Sequence, residues 1–175
     1  MSRHVVLVGL MGSGKSTIGR ALAESLVWEF VDTDRVVEQR EGCSVAQIFA
    51  SRGESGFRTI ESDVLREVLA SPTRQVIATG GGIVTSPENR RVLRGHDVIW
   101  LTASVDTLTR RVEKSRADRP LLGDDVRNRL TDLSHQRTDL YAEVANRCES
   151  VDDRKVDDIV RSIASSLDVE PEVEP

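Results

Sequence analysis

The chain has 175 residues, 38% of them hydrophobic and 30% charged, with a formal net charge of −5. That length provides for one well-buried domain rather than two, and the absence of an apolar run near eighteen residues excludes a helical membrane span. A net negative charge argues against a general nucleic-acid binder, which needs a basic surface.

The first element is an apolar run, Val5 to Val8, that reads as a buried strand, and the opening residues are expected to carry no targeting segment. Gly9 to Ser16 then reads GLMGSGKS, a G-x-x-x-x-G-K-[ST] loop, and Ile18, Ala21, Leu22 and Leu26 recur behind it at helical spacing. Strand, glycine-rich loop and helix together form an anion site. Gly12, Ser13 and Gly14 can turn backbone N–H groups onto phosphates, Thr17 lies in the first helical turn, and the helix N-terminus adds positive potential. Lys15 is the expected partner of the β- and γ-phosphates, and Ser16 the expected hydroxyl ligand of Mg²⁺.

Glu29 to Asp34, EFVDTD, reads as a short second strand ending in two carboxylates. Ser44 caps a short helix through Phe49, and an amphipathic helix runs from Glu54 to about Ser71. Gln75 to Thr79 is a third strand, ended by Gly80, Gly81 and Gly82. Ser86 and Pro87 open a helix that Gly95 stops. Asp97 to Leu101 is the fourth strand, and Ser104 opens a helix to about Lys114. Residues 115 to 125 lose periodicity and read as a mobile loop. A long helix follows from Val126 to Val144, then a weak strand near Cys148 to Val151 and a last helix from Val156 to Leu167; the acidic residues 168 to 175 are expected to fray. This alternation implies a parallel sheet with helices on both faces. Cys43 and Cys148 are far apart, which suits reduced thiols in a cytosol, and His4, His96 and His135 form no cluster in sequence and read as surface or structural residues.

Ligands of an open parallel sheet lie beyond the carboxyl ends of its strands, which would gather the phosphate loop, Asp32, Asp34 and Gly80 to Gly82. Phosphorylation of a hydroxyl needs in-line placement, a group to orient or accept the proton, and cations on the transferring charge. Asp34 suits the proton and Asp32 the water shell of the metal, although helix capping is an equally ordinary use of either. Arg58 and Glu61 share one helical face, so the acid can brace the guanidinium.

The ordered set GLMGSGKST, Asp32 to Asp34 (DTD), Gly53 to Glu61 (GESGFRTIE), Thr79 to Gly82 (TGGG), Arg119 to Leu122 (RPLL) and Arg137 four residues before Tyr141 resembles the shikimate kinase family from about Val5 to Leu167. The resemblance implies an α/β three-layer sandwich around a five-stranded parallel sheet, of the P-loop, nucleoside-monophosphate-kinase-like type. It implies one catalytic domain over residues 1 to 167, with a substrate-binding segment at about 34 to 61 and a lid at about 115 to 125. The implied activity is transfer of the γ-phosphate of MgATP to the 3-hydroxyl of shikimate, on the route to aromatic amino acids.

By that resemblance Asp34 binds the shikimate hydroxyls and is the candidate base. Arg58, Arg137 and the backbone of Gly80, Gly81 and Gly82 hold the ring substituents and carboxylate, Glu61 supports them, and Arg119 is the lid arginine. Thr79 to Gly82 stands where other phosphate-loop proteins carry an acidic metal motif, which moves that work to Asp32. Arg111, with Arg110 beside it, fits the adenine-stacking position. The loop expected to cover the base reads DDRKVDD and lacks the family's proline, leaving Arg154 and Val156 as neighbours of the base. A soluble cytoplasmic monomer without nucleic-acid or membrane partners is expected. Another small-metabolite or nucleotide kinase would need no carboxylate clamp, and a nucleotide acceptor usually recruits aromatics, here 3%. A GTP-dependent switch would carry N-K-x-D and D-x-x-G, which the sequence lacks.

Overall fold

A computed structural model describes residues 3–115 and 125–167. Its elements follow the sequence pattern in order: β1 (Val5–Val8), α1 (Lys15–Leu26), β2 (Glu29–Asp32), α2 (Thr33–Glu41), α3 (Val45–Leu69), β3 (Gln75–Ala78), a 3₁₀ turn (Ile83–Thr85), α4 (Pro87–Leu93), β4 (Asp97–Thr102), α5 (Val105–Lys114), α6 (Val126–Val144), β5 (Arg147–Ser150) and α7 (Val156–Ala164). The strands form one parallel sheet in the order β2-β3-β1-β4-β5. The chain moves from β1 past the slot of β3 to reach β2, and after β3 it crosses to the other side of β1. That reversal opens a crevice at the carboxyl ends of β1 and β3.

The continuous apolar runs of β1 and β3 are buried throughout, as expected of strands covered on both faces. One face packs α1 and α7 through Ile18, Leu22, Ile159 and Ile163. The other packs α3 to α6 through Leu65, Leu93, Leu108, Leu130 and Tyr141. A smaller cluster, Val37, Ile48, Phe57, Ile60 and Val64, fastens α2 to α3 outside the sheet.

Three local outcomes differ from expectation. The second strand ends at Asp32, not Asp34, because the Asp32 side chain accepts from the Asp34 N–H and caps α2. The helix after Ser44 runs past Phe49 to a sharp kink at Gly53 (φ 70°, ψ −179°), so the two helices expected on either side of Gly53 meet there without an intervening loop. Phe49 stacks on Phe57 across the break, with ring centroids 4.5 Å apart. Finally, His4 and His96 do pair: their rings stack with centroids 5.0 Å apart, and the His4 backbone N–H donates to His96 Nδ1 at 3.2 Å. Sheet pairing causes this, since the two residues precede β1 and β4 at neighbouring positions.

Candidate active site

Between β1 and α1 the phosphate loop is held open. Gly9, Gly12 and Gly14 all have positive φ, and at Gly12 a side chain would also press on Val112 Cγ2 at 3.0 Å. Ser13 is buried at the loop's apex, and Thr17 is exposed on the first turn of α1. Lys15 curls back over the loop, donating to the carbonyls of Gly9 (2.8 Å) and Leu10 (3.0 Å), a position from which its ammonium faces the same concavity as the loop amides.

Ser16 Oγ donates to Asp32 Oδ2 at 2.7 Å while Asp32 Oδ1 caps α2. Asp32 therefore caps α2 with one oxygen while its other oxygen faces the phosphate loop through Ser16. Among the described residues no three His, Cys, Asp or Glu side chains converge. Ser16 and Asp32 offer the hard oxygen donors that Mg²⁺ accepts when phosphate oxygens complete its shell, so the residues present fit that ion.

Across the crevice, the turn after β3 is approached from three helices at once. The Gly80 N–H donates to Thr33 Oγ1 at 3.3 Å, tying the turn to the start of α2. A Cβ on Gly80 would stand 2.6 Å from Glu61 Oε1 and 2.8 Å from Asp34 Oδ1, and one on Gly82 would stand 2.2 Å from both Arg58 terminal nitrogens. The glycines are thus what lets Asp34, Glu61 and Arg58 lie against backbone. From α6, Arg137 Nη1 donates to Gly81 O at 3.1 Å, and Tyr141 Oη donates to the same oxygen. Gly81 also faces the phosphate loop, since its Cβ would lie 3.4 Å from Gly9 O.

The charges here are strongly coupled. Glu61, only 1% exposed at its side chain, accepts from Arg58 Nη1 at 2.7 Å. Burial pushes the Glu61 carboxyl above the ordinary carboxylate range; Arg58 opposes that rise and Asp34 adds to it. Burial would lower the Arg58 guanidinium, but Glu61 and Glu54 outweigh it and hold the cation firmly charged. Burial likewise drives the Tyr141 hydroxyl up to about 12, so it remains a donor. A cavity of about 250 Å³, lined by Glu54, Arg129, Asp132, Leu133, Gln136 and Arg137, opens between α3 and α6.

Arg111 ties the phosphate loop to the segment after β5, donating to Gly12 O (3.3 Å) and to Val151 O (3.1 Å). Its neighbour Arg110 instead donates to Thr107 Oγ1 at 3.3 Å on its own helix. Arg154, an exposed residue, donates to Glu149 and to the carbonyls of Ser150 (3.0 Å) and Asp158 (3.3 Å). Burial would raise the Glu149 carboxyl, but hydrogen bonds from Arg154, Ser162 and Arg147 outweigh it and hold the group below its usual range. Arg119 and most of the expected lid lie outside the described residues.

The structure therefore unites Lys15, Ser16, Asp32, Asp34, Arg58, Glu61, Gly80 to Gly82 and Arg137 around one crevice, with Arg111 bonded to the phosphate loop at Gly12 O. Sequence reasoning gave no role to Thr33, to the Tyr141 hydroxyl or to Glu54. Thr33 and Tyr141 stand inside or beside quoted motifs, and that was the one signal available for them.

The family profile described as shikimate kinase matches residues 11–168. The chain belongs to the shikimate kinase family. A shikimate kinase of Symbiobacterium thermophilum is 47% identical over 167 residues, covering 94% of this chain and 95% of that protein. One of Synechococcus elongatus is 53% identical over 138 residues, covering 78% and 72%. Among solved structures, shikimate kinase from Acinetobacter baumannii in complex with shikimate superposes with a TM-score of 0.88 at 35% identity, over 93% of this chain and 91% of that one. A gluconokinase from Sinorhizobium meliloti, at 16% identity and a TM-score of 0.61, shares the fold alone. Membership makes the chain an ATP-dependent phosphotransferase of the P-loop kinase fold. No described helix is long and apolar enough to cross a membrane.

Proposed function

We propose that the protein transfers the γ-phosphate of ATP to the 3-hydroxyl of shikimate, giving shikimate 3-phosphate and ADP. The observation that carries this is the convergence of Arg58, Arg137, Asp34 and Glu61 on Gly80 to Gly82, directly against the phosphate loop. Two guanidiniums from different helices suit one carboxylate, and a carboxylate at Asp34 suits neighbouring ring hydroxyls.

The residues divide the chemistry as follows. The loop amides and Lys15 hold the nucleotide phosphates, and the ammonium stabilises charge that grows on the γ-phosphoryl oxygens. Arg58 and Arg137 fix the acceptor ring so that its hydroxyl lies in line, while Glu61 keeps Arg58 in place. Asp34 orients that hydroxyl and accepts its proton. Ser16 and Asp32 would hold Mg²⁺, which when bound neutralises the β- and γ-phosphates. Arg111 supports the nucleotide side of the loop. Roles for Arg154 at the base and for Arg119 at the transferring phosphate rest on the family resemblance. The catalytic unit spans at least Gly9 to Tyr141, since the site draws on residues across that stretch.

Coupled ADP release with shikimate, gluconate and nucleoside monophosphates as acceptors tests the proposal. Turnover with shikimate alone supports it; turnover with gluconate or a nucleotide and none with shikimate overturns it. Asp34→Asn, which keeps the side chain's shape, should cut kcat strongly, whereas an effect confined to KM would make Asp34 a binding residue only.

A further inference from the structure

Arg58 is bonded to two carboxylates of opposite character. Glu61 accepts from Nη1 at 2.7 Å and is 1% exposed, whereas Glu54 accepts from Nη2 at 3.2 Å and is 68% exposed. The first belongs to a buried pair whose separation would strand a charge. The second is wet, longer and held only by i,i+4 spacing, which makes it easily exchanged. Glu54 follows the helix break at Gly53, and from the first turn beyond it the side chain reaches both Arg58 and the cavity that Arg137 lines from α6. Glu54 therefore bonds one of the two guanidiniums and shares a cavity with the other.

We propose that Glu54 is an internal stand-in for the substrate's carboxylate. It occupies the Nη2 edge of Arg58 while the site is empty and yields that edge to an incoming carboxylate, so that an acceptor lacking one gains nothing from the exchange. Arg129, on the same cavity wall, is a cation to which the displaced Glu54 can turn. Glu54 is on this view a specificity-determining residue: it opposes every ligand at the fork and is displaced profitably only by an anion. The proposal rests on the reading that Arg58 receives the acceptor's carboxylate.

The test is calorimetric titration of the full chain with shikimate and with shikimate methyl ester, for the unaltered protein, Glu54→Gln, Arg58→Ala and the double variant, with circular dichroism to establish folding. Removal of the competing charge should tighten shikimate by about two- to fivefold, the range of an exposed ion pair, and move the ester by less than that. The gain should vanish in the Arg58→Ala background. If Arg58→Ala does not fold with Glu61 unpaired, Arg58→Lys keeps a cation on Glu61 while withdrawing the second edge. Unchanged or weaker shikimate binding by Glu54→Gln, with Arg58 variants still impaired, overturns the stand-in role and leaves the clamp standing. Unchanged shikimate binding by the Arg58 variants overturns the clamp itself.

Discussion

Tyr141 and Arg137, one turn apart on α6, donate to the same acceptor, the carbonyl oxygen of Gly81. That carbonyl belongs to the residue whose other side touches the phosphate loop. Tyr141 is also stacked on Trp100, with ring centroids 5.7 Å apart, so an aromatic pair anchors the wall between the phosphate loop and α6. Tyr141→Phe keeps the stack and removes one of two donors. It should cost about 1 kcal/mol of stability by urea denaturation and raise KM for shikimate more than KM for ATP. Equal changes in both KM values would reduce Tyr141 to a packing residue.

Gly82→Ala should spare the fold and damage the site. The new methyl would meet the Arg58 guanidinium at 2.2 Å, and that guanidinium is the end of a side chain that can swing away. Its displacement would take it from both Glu61 and the acceptor. The expected result is a thermal midpoint within a few degrees of the unaltered protein and shikimate affinity reduced about tenfold or more, as the loss of a charge-assisted contact implies. Normal affinity would mean that Arg58 binds from another position.

A stabilising change lies far from the crevice. Val27 ends α1 in the left-handed region at φ 57° and is 92% exposed, an unfavourable conformation for a β-branched residue and one that buries nothing. Val27→Gly removes the strain without losing packing and keeps the closing hydrogen bond from Trp28 N–H to Ala23 O at 2.9 Å. We expect a gain of about 0.5 to 1 kcal/mol by chemical denaturation with unchanged kinetics. A loss would show that the valine shields the helix end.

The histidine pair gives the fold an acid limit. Burial, with His4 and Arg3 nearby, pushes His96 down to about 4, and burial lowers His4 despite its bond to Leu69 O. Both folded values lie below the ordinary 6.5, so their contribution is complete above that pH and is lost as pH falls toward 4. His96 Nδ1 must be bare to accept from the His4 N–H, so protonation there breaks that bond. The unfolding free energy should fall as pH is lowered from 6.5 to 4, by an amount of order 1 to 2 kcal/mol. His96→Asn, which retains an acceptor, should flatten that part of the profile; an unaltered profile would assign the acid sensitivity to carboxylates such as Glu149.

What the sequence determined by itself was whatever depends on neighbours along the chain. The loop chemistry of Gly9 to Ser16, the cap at Ser44, the proline start of α4 and the alternation of strand and helix were all readable because each arises within a few residues. So was the pairing of Arg58 with Glu61, which is a matter of helical spacing. The tertiary structure decided which distant groups meet. The strand order β2-β3-β1-β4-β5 sets Gly81 between the phosphate loop and α6 and brings His4 against His96. It also makes Glu61 buried and Glu54 wet although both face the same arginine. Burial and sheet order follow from the packing of whole faces, and no local pattern of residues carries that information.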